Sequence, residues 1–398
     1  MTQIVAVESK FMLEVNAAAI LDQLRAARRA SVSTLAKQTG LSRQAVSRSL
    51  EVLQSMDLVE ISMPDRGAAH LGRPPQMVRF RSEAGRILAL DVQPGQVRVV
   101  VADLLGDITD DFTGPLPRGR SDALAQGLAS AVTHVLNRAG LSPEEVWHAS
   151  ASAPGIVDQV TGHVTLSPSM PEVVGDVIQT GLRSVVSATI HVDNDVNLAT
   201  VGERWRGAPH AQNELVFINW GERIGAGILL HGQLHRGGSN DAGDIGYLDL
   251  QAPANEGGPD EDLGPFERWV GTRELLRLAG QAVGDRHEPL TISDLVTAAD
   301  HGEPWALDAV RAVSARFVKG IAAIRALLDP ELIVIGGDVA TFGSLLLDAL
   351  TDAGRSERLG QPPLEISTLG TDAIVLGAIR TSMSWVRRER FNFATNRL

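Results

Sequence analysis

Four polar side chains lie close together near the middle of the chain: Asp193, Asn194, Asp195 and Asn197. They follow a β-type run at residues 188–192 and precede residues 198–205, whose pattern predicts a helix. Small polar ligands bind beside the carboxyl ends of strands in α/β sheets, and a carboxylate there can accept a proton from a hydroxyl group or hydrogen-bond it. Asp and Asn are also favoured helix N-caps. Because one cap requires only one such residue, the group as a whole predicts a ligand-binding site.

Length and composition limit the class of protein. With 398 residues, the chain is expected to form two or three domains. Its 44% hydrophobic and 21% charged content is typical of a soluble globular protein. The longest apolar runs, such as residues 332–335, are far shorter than the ~20 residues that cross a bilayer. No export signal is visible, so we expect a cytoplasmic protein without a membrane partner. The absence of cysteine excludes disulfides, thiolate metal sites and a cysteine nucleophile.

The formal net charge of −12 is unevenly distributed along the chain. Residues 1–86 contain 12 Lys+Arg and 8 Asp+Glu, a balance of +4, whereas the remainder contains 24 and 40, a balance of −16. A basic first part on an acidic larger part indicates that only the first part binds a polyanion.

The basic part contains the pattern of a helix-turn-helix. Residues 16–29 predict a first helix, and residues 32–40 predict a short second helix that Gly40 stops. Ser42 is a good N-cap for a third helix over residues 43–56, which buries Val46, Leu50 and Leu53 at helical spacing. The residues left on its outer face near the N-terminus are Arg43, Gln44, Ser47 and Arg48. A helix-turn-helix presents its base-contacting residues to the major groove at this place, where Arg suits guanine, Gln adenine and Ser phosphate.

A predicted hairpin follows the third helix. Residues 58–61 and 76–80 alternate like two strands, and the loop between them includes Gly72-Arg73-Pro74-Pro75. Such a wing can place Arg73 in a narrow minor groove. An ordinary helical hairpin and a solvated loop are the alternatives, but the combined order favours a winged helix-turn-helix domain, residues 1–82, that binds double-stranded operator DNA. Because such heads read paired half-sites, we expect a homodimer or a dimer of dimers.

The rest of the chain, residues 83–398, has an internally repeated pattern. A strand-turn-strand start occurs near residue 87 and again near residue 215, each time followed by helical material. The repeat predicts a duplicated α/β architecture with a cleft between two lobes. The fold class is therefore α/β and multi-domain.

Four motifs together resemble the ROK family (repressors, open reading frames, sugar kinases), within the actin-like/hexokinase-like ATPase fold. They are Pro-Gly-Ile-Val-Asp at 154–158, Asn-Asp-Val-Asn at 194–197, Ala-Gly-Asp-Ile-Gly-Tyr at 242–247 and Asp-Pro-Glu-Leu-Ile-Val-Ile-Gly-Gly at 329–337. The resemblance covers roughly residues 15–390, including the winged head of the repressor branch. It implies that Asp195 occupies the position of the base of the family kinases. It also implies that Asn194, Asp244 and Glu267 contact a sugar, with Gly155 in a loop beside it.

The chain departs from the family kinases in both phosphate-binding hairpins. The first, Asp-x-Gly-Gly-Thr in kinases, reads Asp91-Val92-Gln93-Pro94-Gly95-Gln96, and Pro94 has no N–H to donate to phosphate. The second, Gly-Thr-Gly-x-Gly, carries Glu222 in place of the threonine and Arg223 in place of the next glycine. A carboxylate ~4 Å from a phosphate costs on the order of 4 kcal/mol at an effective dielectric near 20. Since phosphoryl transfer depends on positioning and charge neutralisation, we predict that the chain is not an enzyme and assign no catalytic residue.

The family zinc site is also absent from the sequence. Its cysteines would lie in residues 251–266, which are acidic here, and its histidine, which also touches sugar, is replaced by Tyr247. Carboxylates alone could hold a hard cation such as calcium, but a solvated acidic loop is the favoured interpretation. We therefore predict no metal and no cofactor.

Three hypotheses follow. In the first, the chain is a repressor of sugar metabolism or uptake genes, controlled by a sugar or sugar phosphate in a kinase-derived cleft. The residues predicted to bind this effector are Gly155, Asn194, Asp195, Asp244, Tyr247 and Glu267. The alternative is an ATP-dependent sugar kinase with an appended DNA-binding head. In the third, the chain is a DNA-bound scaffold that another protein regulates, its sugar cleft having decayed.

Overall fold

The computed structural model describes residues 2–62, 76–207, 212–250, 263–283, 289–355, 357–358 and 360–391, with side chains from residue 12 onward. The N-terminal part begins with three helices: α1 (Thr2–Ala27), α2 (Val32–Thr39) and α3 (Arg43–Ser55). Three short strands, β1 (Arg29–Ser31), β2 (Val59–Ser62) and β3 (Met77–Phe80), form an antiparallel sheet in the order β1-β3-β2. Strand β1 was not predicted, and α1 begins well before residue 16 and ends at Ala27 because Arg28 adopts a φ of 60°.

The core of this head is completed by the far end of the chain. Ile20, Leu24 and Leu53 are buried in one cluster with Val386 and Phe391. The ring of Phe391 also packs edge-on against Phe80, with centroids 6.4 Å apart. The last helix is therefore part of the packing of this N-terminal head as well as of the larger domain. The division between residues 82 and 83 stays a prediction.

The first lobe is built on a five-stranded sheet in the order β10-β7-β4-β5-β6. Its strands are β4 (Arg86–Gln93), β5 (Gln96–Ala102), β6 (Ile108–Pro115), β7 (Val146–Ala153) and β10 (Thr189–Asn194). Strands β4, β7 and β10 run parallel, and β4, β5 and β6 form antiparallel pairs. Helices α4 (Ser121–Ala139) and α5 (Val177–Arg183) pack on this sheet, and β8 (Ile156–Val157) pairs with β9 (Val164–Leu166) beside it.

The second lobe repeats this arrangement in the order β13-β12-β11-β14-β15. Its strands are β11 (Leu215–Trp220), β12 (Ile224–Leu230), β13 (Gln233–His235), β14 (Leu332–Gly336) and β15 (Leu364–Ile366). Its helices are α7 (Pro265–Val270), α8 (Thr272–Val283), α9 (Ile292–Asp300), α10 (Pro304–Leu328) and α11 (Ser344–Gly354). As in the first lobe, an antiparallel hairpin leads into parallel pairs. The predicted duplication is present.

Two helices, α6 (Asp195–Arg206) and α12 (Asp372–Glu389), join the lobes. Leu198 and Ile379 pack on the first sheet, whereas Val196 and Ala373 pack against buried residues of the second. The two helices approach closely because each has a glycine at the crossing. A Cβ on Gly202 would overlap the carbonyl oxygen of Ala373, and one on Gly377 would overlap that of Leu198.

The close crossing predicts a large effect of a small substitution. Gly377→Ala should lower the free energy of unfolding by about 1–3 kcal/mol, because the added methyl group forces the helices apart in a packed core. Urea denaturation followed by circular dichroism measures this change. The matched control is Gly280→Ala in α8, where a Cβ meets nothing closer than 4.0 Å. That substitution should stabilise the chain by up to about 1 kcal/mol, since alanine favours helix. Equal stabilities of the two variants would contradict the prediction.

Candidate functional site

The polar group at the start of α6 divides into capping, buried and cleft-facing residues. Strand β10 ends at Asn194 and α6 begins at once with Asp195. The Oδ1 atom of Asn194 accepts the N–H of Asn197 at 3.0 Å, and its Nδ2 atom donates to the carbonyl of Gly155 at 2.9 Å. Asn194 is therefore the N-cap of α6, and its side chain also fixes the position of the loop at Gly155.

Asp193 and Asn197 are turned into the interior. Asp193 is 2% exposed, accepts hydrogen bonds from the Asn194 N–H and the Gln159 side chain, and forms an ion pair with Arg236. Asn197 is 5% exposed, and its Nδ2 lies 3.5 Å from Asp193. These two residues hold β10 and α6 together, and Asn197 also lines the small cavity described below.

Asp195 is the carboxylate of this group that lies near two other carboxylates, Asp91 and Asp244, and it is not itself among the residues that line the small cavity described below. Burial raises its pKa to about 7, against the lowering effect of the Val196 N–H, and the charges of Asp91 and Asp244 raise it further. Asp91 is itself buried and accepts hydrogen bonds from Ser152 (2.9 Å) and Gln93 (2.8 Å). Burial also raises the pKa of Asp244. Carboxyl groups with raised pKa values keep protons more readily than ordinary ones. The three groups together can therefore both donate hydrogen bonds to hydroxyl groups and accept hydrogen bonds from them.

A small cavity of about 30 Å³ lies beside these residues. Gly155, Asn194 and Asp244 line it, together with residues 240–243. Gly155 has a φ of 138°, and a Cβ there would overlap the carbonyl oxygen of Leu166, so the loop requires glycine at this position. The space accommodates about one or two waters, whereas pockets for small molecules are typically ~300–1,000 Å³. A sugar could bind here only if the lobes move apart.

The other two predicted effector residues are placed differently. Glu267 is 4% exposed, and its carboxylate oxygens accept the N–H groups of Ile224 (3.0 Å) and Gly264 (2.7 Å). It lies behind Asp244 and its charge contributes to the raised pKa of that residue. Tyr247 is 51% exposed and is not among the residues that line the cavity. The structure therefore brings Gly155, Asn194, Asp195 and Asp244 together, and an effector role for all six residues stays a prediction.

The two hairpins in which the sequence departs from the family kinases differ in structure. A side chain covers the first, and carboxylates surround the second. In the first, the Arg118 guanidinium donates to the Pro94 carbonyl at 2.9 Å and lies over Gly95. In the second, Glu222 forms an ion pair with Arg273, and Asp338 lies near Gly221. Burial and the charge of Glu222 raise the pKa of Asp338. The sequence reading missed Asp338, although its place directly after the buried strand and Gly336-Gly337 is a signal.

The exposed start of α3 has the arrangement that the sequence predicts. The Ser42 hydroxyl caps the helix by accepting the Ala45 N–H at 3.2 Å. Arg43, Gln44, Ser47 and Arg48 are all exposed, and Val46 is buried. Within the described part of the chain, neither Arg43 nor Arg48 forms an ion pair, so both are available for a phosphate or a base. Arg73 lies outside the described residues.

The described residues contain no group of three or more His, Asp or Glu side chains that could hold a metal ion. Most of the acidic loop that replaces the zinc site, residues 251–262, lies outside the described part. None of the described helices combines the length and the apolar character needed to cross a bilayer.

The raised pKa of Asp195 predicts a pH dependence of stability. A carboxyl whose pKa is higher in the folded than in the unfolded chain stabilises the fold when protonated. This contribution is complete below pH ~4 and disappears as the pH rises to about 7. The stability of Asp195→Asn relative to the natural chain should therefore increase between pH 4 and 7 and then level off. Urea denaturation at a series of pH values measures the difference, and a pH-independent difference would contradict the assignment.

A family model described as "ROK family" matches residues 88–382, and one described as "MarR family" matches residues 13–68. A xylose repressor of Caldicellulosiruptor bescii is 24% identical over 339 residues, which cover 80% of this chain and 83% of the repressor. A glucokinase of Halalkalibacterium halodurans is 26% identical over 330 residues, which cover 77% of this chain and 96% of the glucokinase.

The fold is also that of a solved structure. The crystal structure of a ROK family transcriptional regulator, described as a homolog of the E. coli MLC protein, aligns with a TM-score of 0.74 at 19% identity. The alignment covers 96% of this chain and 98% of that one. At this identity the likeness concerns the fold alone. It confirms the predicted fold class, a winged helix-turn-helix followed by a two-lobed, sugar-kinase-like domain.

Proposed function

Because the chain belongs to the ROK family, we propose that it is a DNA-binding transcriptional repressor of sugar metabolism or uptake genes, controlled by a sugar or sugar phosphate. The observation that carries the proposal is the N-terminal half of α3, where Arg43 and Arg48 are exposed and have no ion-pair partner in the described part of the chain. This half-helix is basic in an acidic protein, and a relative that aligns over 80% of this chain is a xylose repressor.

The proposed effector site is the cleft between the lobes at Asp195 and Asp244. Carboxylates hydrogen-bond sugar hydroxyls in bidentate fashion, and partial burial strengthens such bonds. Because the cavity is only about 30 Å³, an effector must bind a more open form. The ligand thereby favours one angle between the lobes over another, which is the differential affinity that a switch requires.

Helix α12 is the element that can transmit this change to DNA. Ala373 packs against the second lobe, Ile379 against the first, and Val386 inside the head. Arg387 adds an ion pair to Asp22 of α1 at 2.7 Å. A rotation of either lobe that displaces α12 therefore also displaces the head. In a dimer, this movement would change the spacing of two α3 helices on paired half-sites.

We further propose that the chain does not phosphorylate its sugar. The first hairpin has Arg118 over the place where kinases leave room for phosphate, and Glu222 and Asp338 put two carboxylates at the second. A metal ion or an N–H group could offset one such charge, but phosphoryl transfer requires all of the phosphate-binding groups to be correctly positioned together. Incubation with ATP and a panel of hexoses should release no ADP above the rate of a heat-treated sample. The kinase alternative would be supported if the natural chain released ADP and the double variant Glu222→Thr/Arg223→Gly released it at the same rate.

The proposed function is tested by selecting DNA with the purified full-length protein from a pool of random duplexes. The recovered sequence is called the selected duplex below. It should bind about 10³-fold or more tightly than a shuffled duplex of the same composition. Affinity for both should fall steeply between ~0.05 and ~0.2 M salt because phosphate contacts release counterions. Recovery of no common sequence, or equal affinity for both duplexes, would reject the proposal.

A further inference from the structure

A second, much larger cavity lies at the edge of the two sheets. It has a volume of about 1040 Å³ and shares no lining residue with the small cavity in the cleft. Its walls come from β10 and β13, each the outermost strand of its sheet, and from α6 and α12. One face of α12 contributes residues 380, 381, 384, 385 and 388, which have helical spacing. The cavity is therefore formed by ordered elements of both lobes.

The lining of this cavity is strongly basic. It includes four arginines, Arg204, Arg236, Arg380 and Arg388, together with His148 and His191, and it includes no Asp or Glu. Burial lowers the pKa of His148 to about 3, so this histidine adds no positive charge near neutral pH. The chain beyond residue 86 carries a formal charge of −16. A basic cavity in an acidic domain is a local feature that attracts anions, because charges of one sign in a concave surface reinforce one another.

Two of these arginines have no counter-ion among the residues that the structure describes. Arg236 is paired with the buried Asp193, and Arg388 contacts its neighbour Glu389. Arg204, by contrast, donates only to neutral oxygens, those of Gln212 and Asn213. Within the described residues, no carboxylate lies within ion-pair distance of Arg204 or Arg380. Burial lowers the pKa of Arg380, and the charges of Arg387 and Arg204 lower it further, as expected of cations held together without an anion.

The cavity wall also contains buried polar atoms that lack partners. His148 is fully buried, and its Nδ1 atom lies 2.8 Å from the Ser382 hydroxyl, but its Nε2 atom has no hydrogen-bond partner. The Nε atom of Arg236 is likewise without a partner. Folded proteins rarely leave buried donors unsatisfied, and each such group requires an explanation. Neither atom is accessible from the cavity as it stands, so a small movement of these side chains would be needed to bring them to a ligand.

We propose that this cavity binds a small phosphorylated molecule, with its phosphate between Arg204 and Arg380. Guanidinium groups pair with phosphate through two parallel hydrogen bonds and stay charged on partial burial, which makes arginine the preferred residue for this task. The volume leaves room for the organic part of a sugar phosphate or a mononucleotide beside Trp205 and Trp385. The site is separate from the proposed effector cleft and does not depend on it. The ligand would lie against the same helix, α12, that packs into the head.

The proposal is tested by isothermal titration calorimetry on the full-length protein. The probes are inorganic phosphate, glucose 6-phosphate and AMP, which share the phosphate and differ in the organic part, and glucose is the uncharged control. At least one phosphorylated probe should bind in the millimolar range or tighter. Arg204→Gln and Arg380→Gln should each weaken that binding about tenfold by removing one charged hydrogen-bonding group. Circular dichroism confirms that the variants fold.

Two further variants make the result specific. Arg311 is an exposed arginine of α10 that pairs with Asp308 and does not line the cavity. Arg311→Gln should therefore leave binding unchanged. Asp195→Asn in the cleft should leave the binding of inorganic phosphate and AMP, which carry no hexose, unchanged, and this separates the site from the proposed effector site. The proposal is overturned if no phosphorylated probe binds up to about 10 mM. It is also overturned if Arg311→Gln weakens binding as much as Arg380→Gln, or if Asp195→Asn abolishes the binding of inorganic phosphate and AMP.

Discussion

Replacing Arg43 and Arg48 together by alanine is expected to weaken binding to the selected duplex on the order of 10²–10³-fold. Both guanidinium groups are exposed at the start of α3 and form no ion pair in the described part of the chain. In the major groove each can make a bidentate contact worth about 1–3 kcal/mol. Fluorescence anisotropy with a labelled duplex at fixed salt measures the affinity.

The controls for this variant separate base contacts from general charge. Arg311→Ala with Arg355→Ala removes two exposed arginines elsewhere and should change the affinity less than about threefold. Gln44→Ala should relax the preference at one base pair while preserving affinity for the shuffled duplex. If the Arg43/Arg48 variant bound the selected duplex as tightly as the natural chain, α3 would not be the reading helix.

Replacing Asp195 and Asp244 together by asparagine is expected to weaken effector binding on the order of 10³-fold. The sugar is first identified by calorimetry against hexoses, pentoses, amino sugars and their phosphates. A hydrogen bond to a charged group contributes about 1.5–3 kcal/mol, and two such groups line the proposed path of the sugar hydroxyls. The selected duplex should still bind with unchanged affinity in the absence of sugar, because neither residue contacts the head.

Asp300→Asn is the matched control for the cleft variant. It removes an exposed carboxylate at the end of α9 and should leave sugar binding unchanged. Retention of full sugar affinity by the Asp195/Asp244 variant would place the effector elsewhere. Loss of DNA binding without sugar would show instead that the two carboxylates are needed for the fold of the head.

The sequence correctly predicted those helices and strands whose ends depend on residues close to them in the chain. Strands β11 and β12 form the strand-turn-strand start that was predicted near residue 215, because each is a short apolar run limited by polar residues and glycine. Helix α3 was predicted to within one residue because Gly40 and Ser42 mark the preceding turn and the cap. The exposed face of α3 followed from the spacing of Val46, Leu50 and Leu53, which are all buried.

Contacts between distant residues could not be predicted in this way. Asp193 was grouped with the ligand residues because its partner, Arg236, lies 43 positions away in the sequence. The crossing of Gly202 with α12 and the participation of Phe391 in the head depend on the packing of the chain ends. Strand β1 is three residues long and exists because β3 offers an edge for it to pair with. The basic cavity draws its arginines from three separate parts of the chain: α6, the segment after β13, and α12.

The central claim is that the kinase-derived cleft senses a sugar and controls DNA binding without phosphorylating that sugar. One titration tests it most directly: anisotropy of the selected duplex is followed while each sugar of the panel is added with ATP, and ADP is assayed in the same samples. The account predicts that at least one sugar changes the DNA affinity about tenfold or more while no ADP forms. ADP formation with an unchanged DNA affinity across the panel would contradict it.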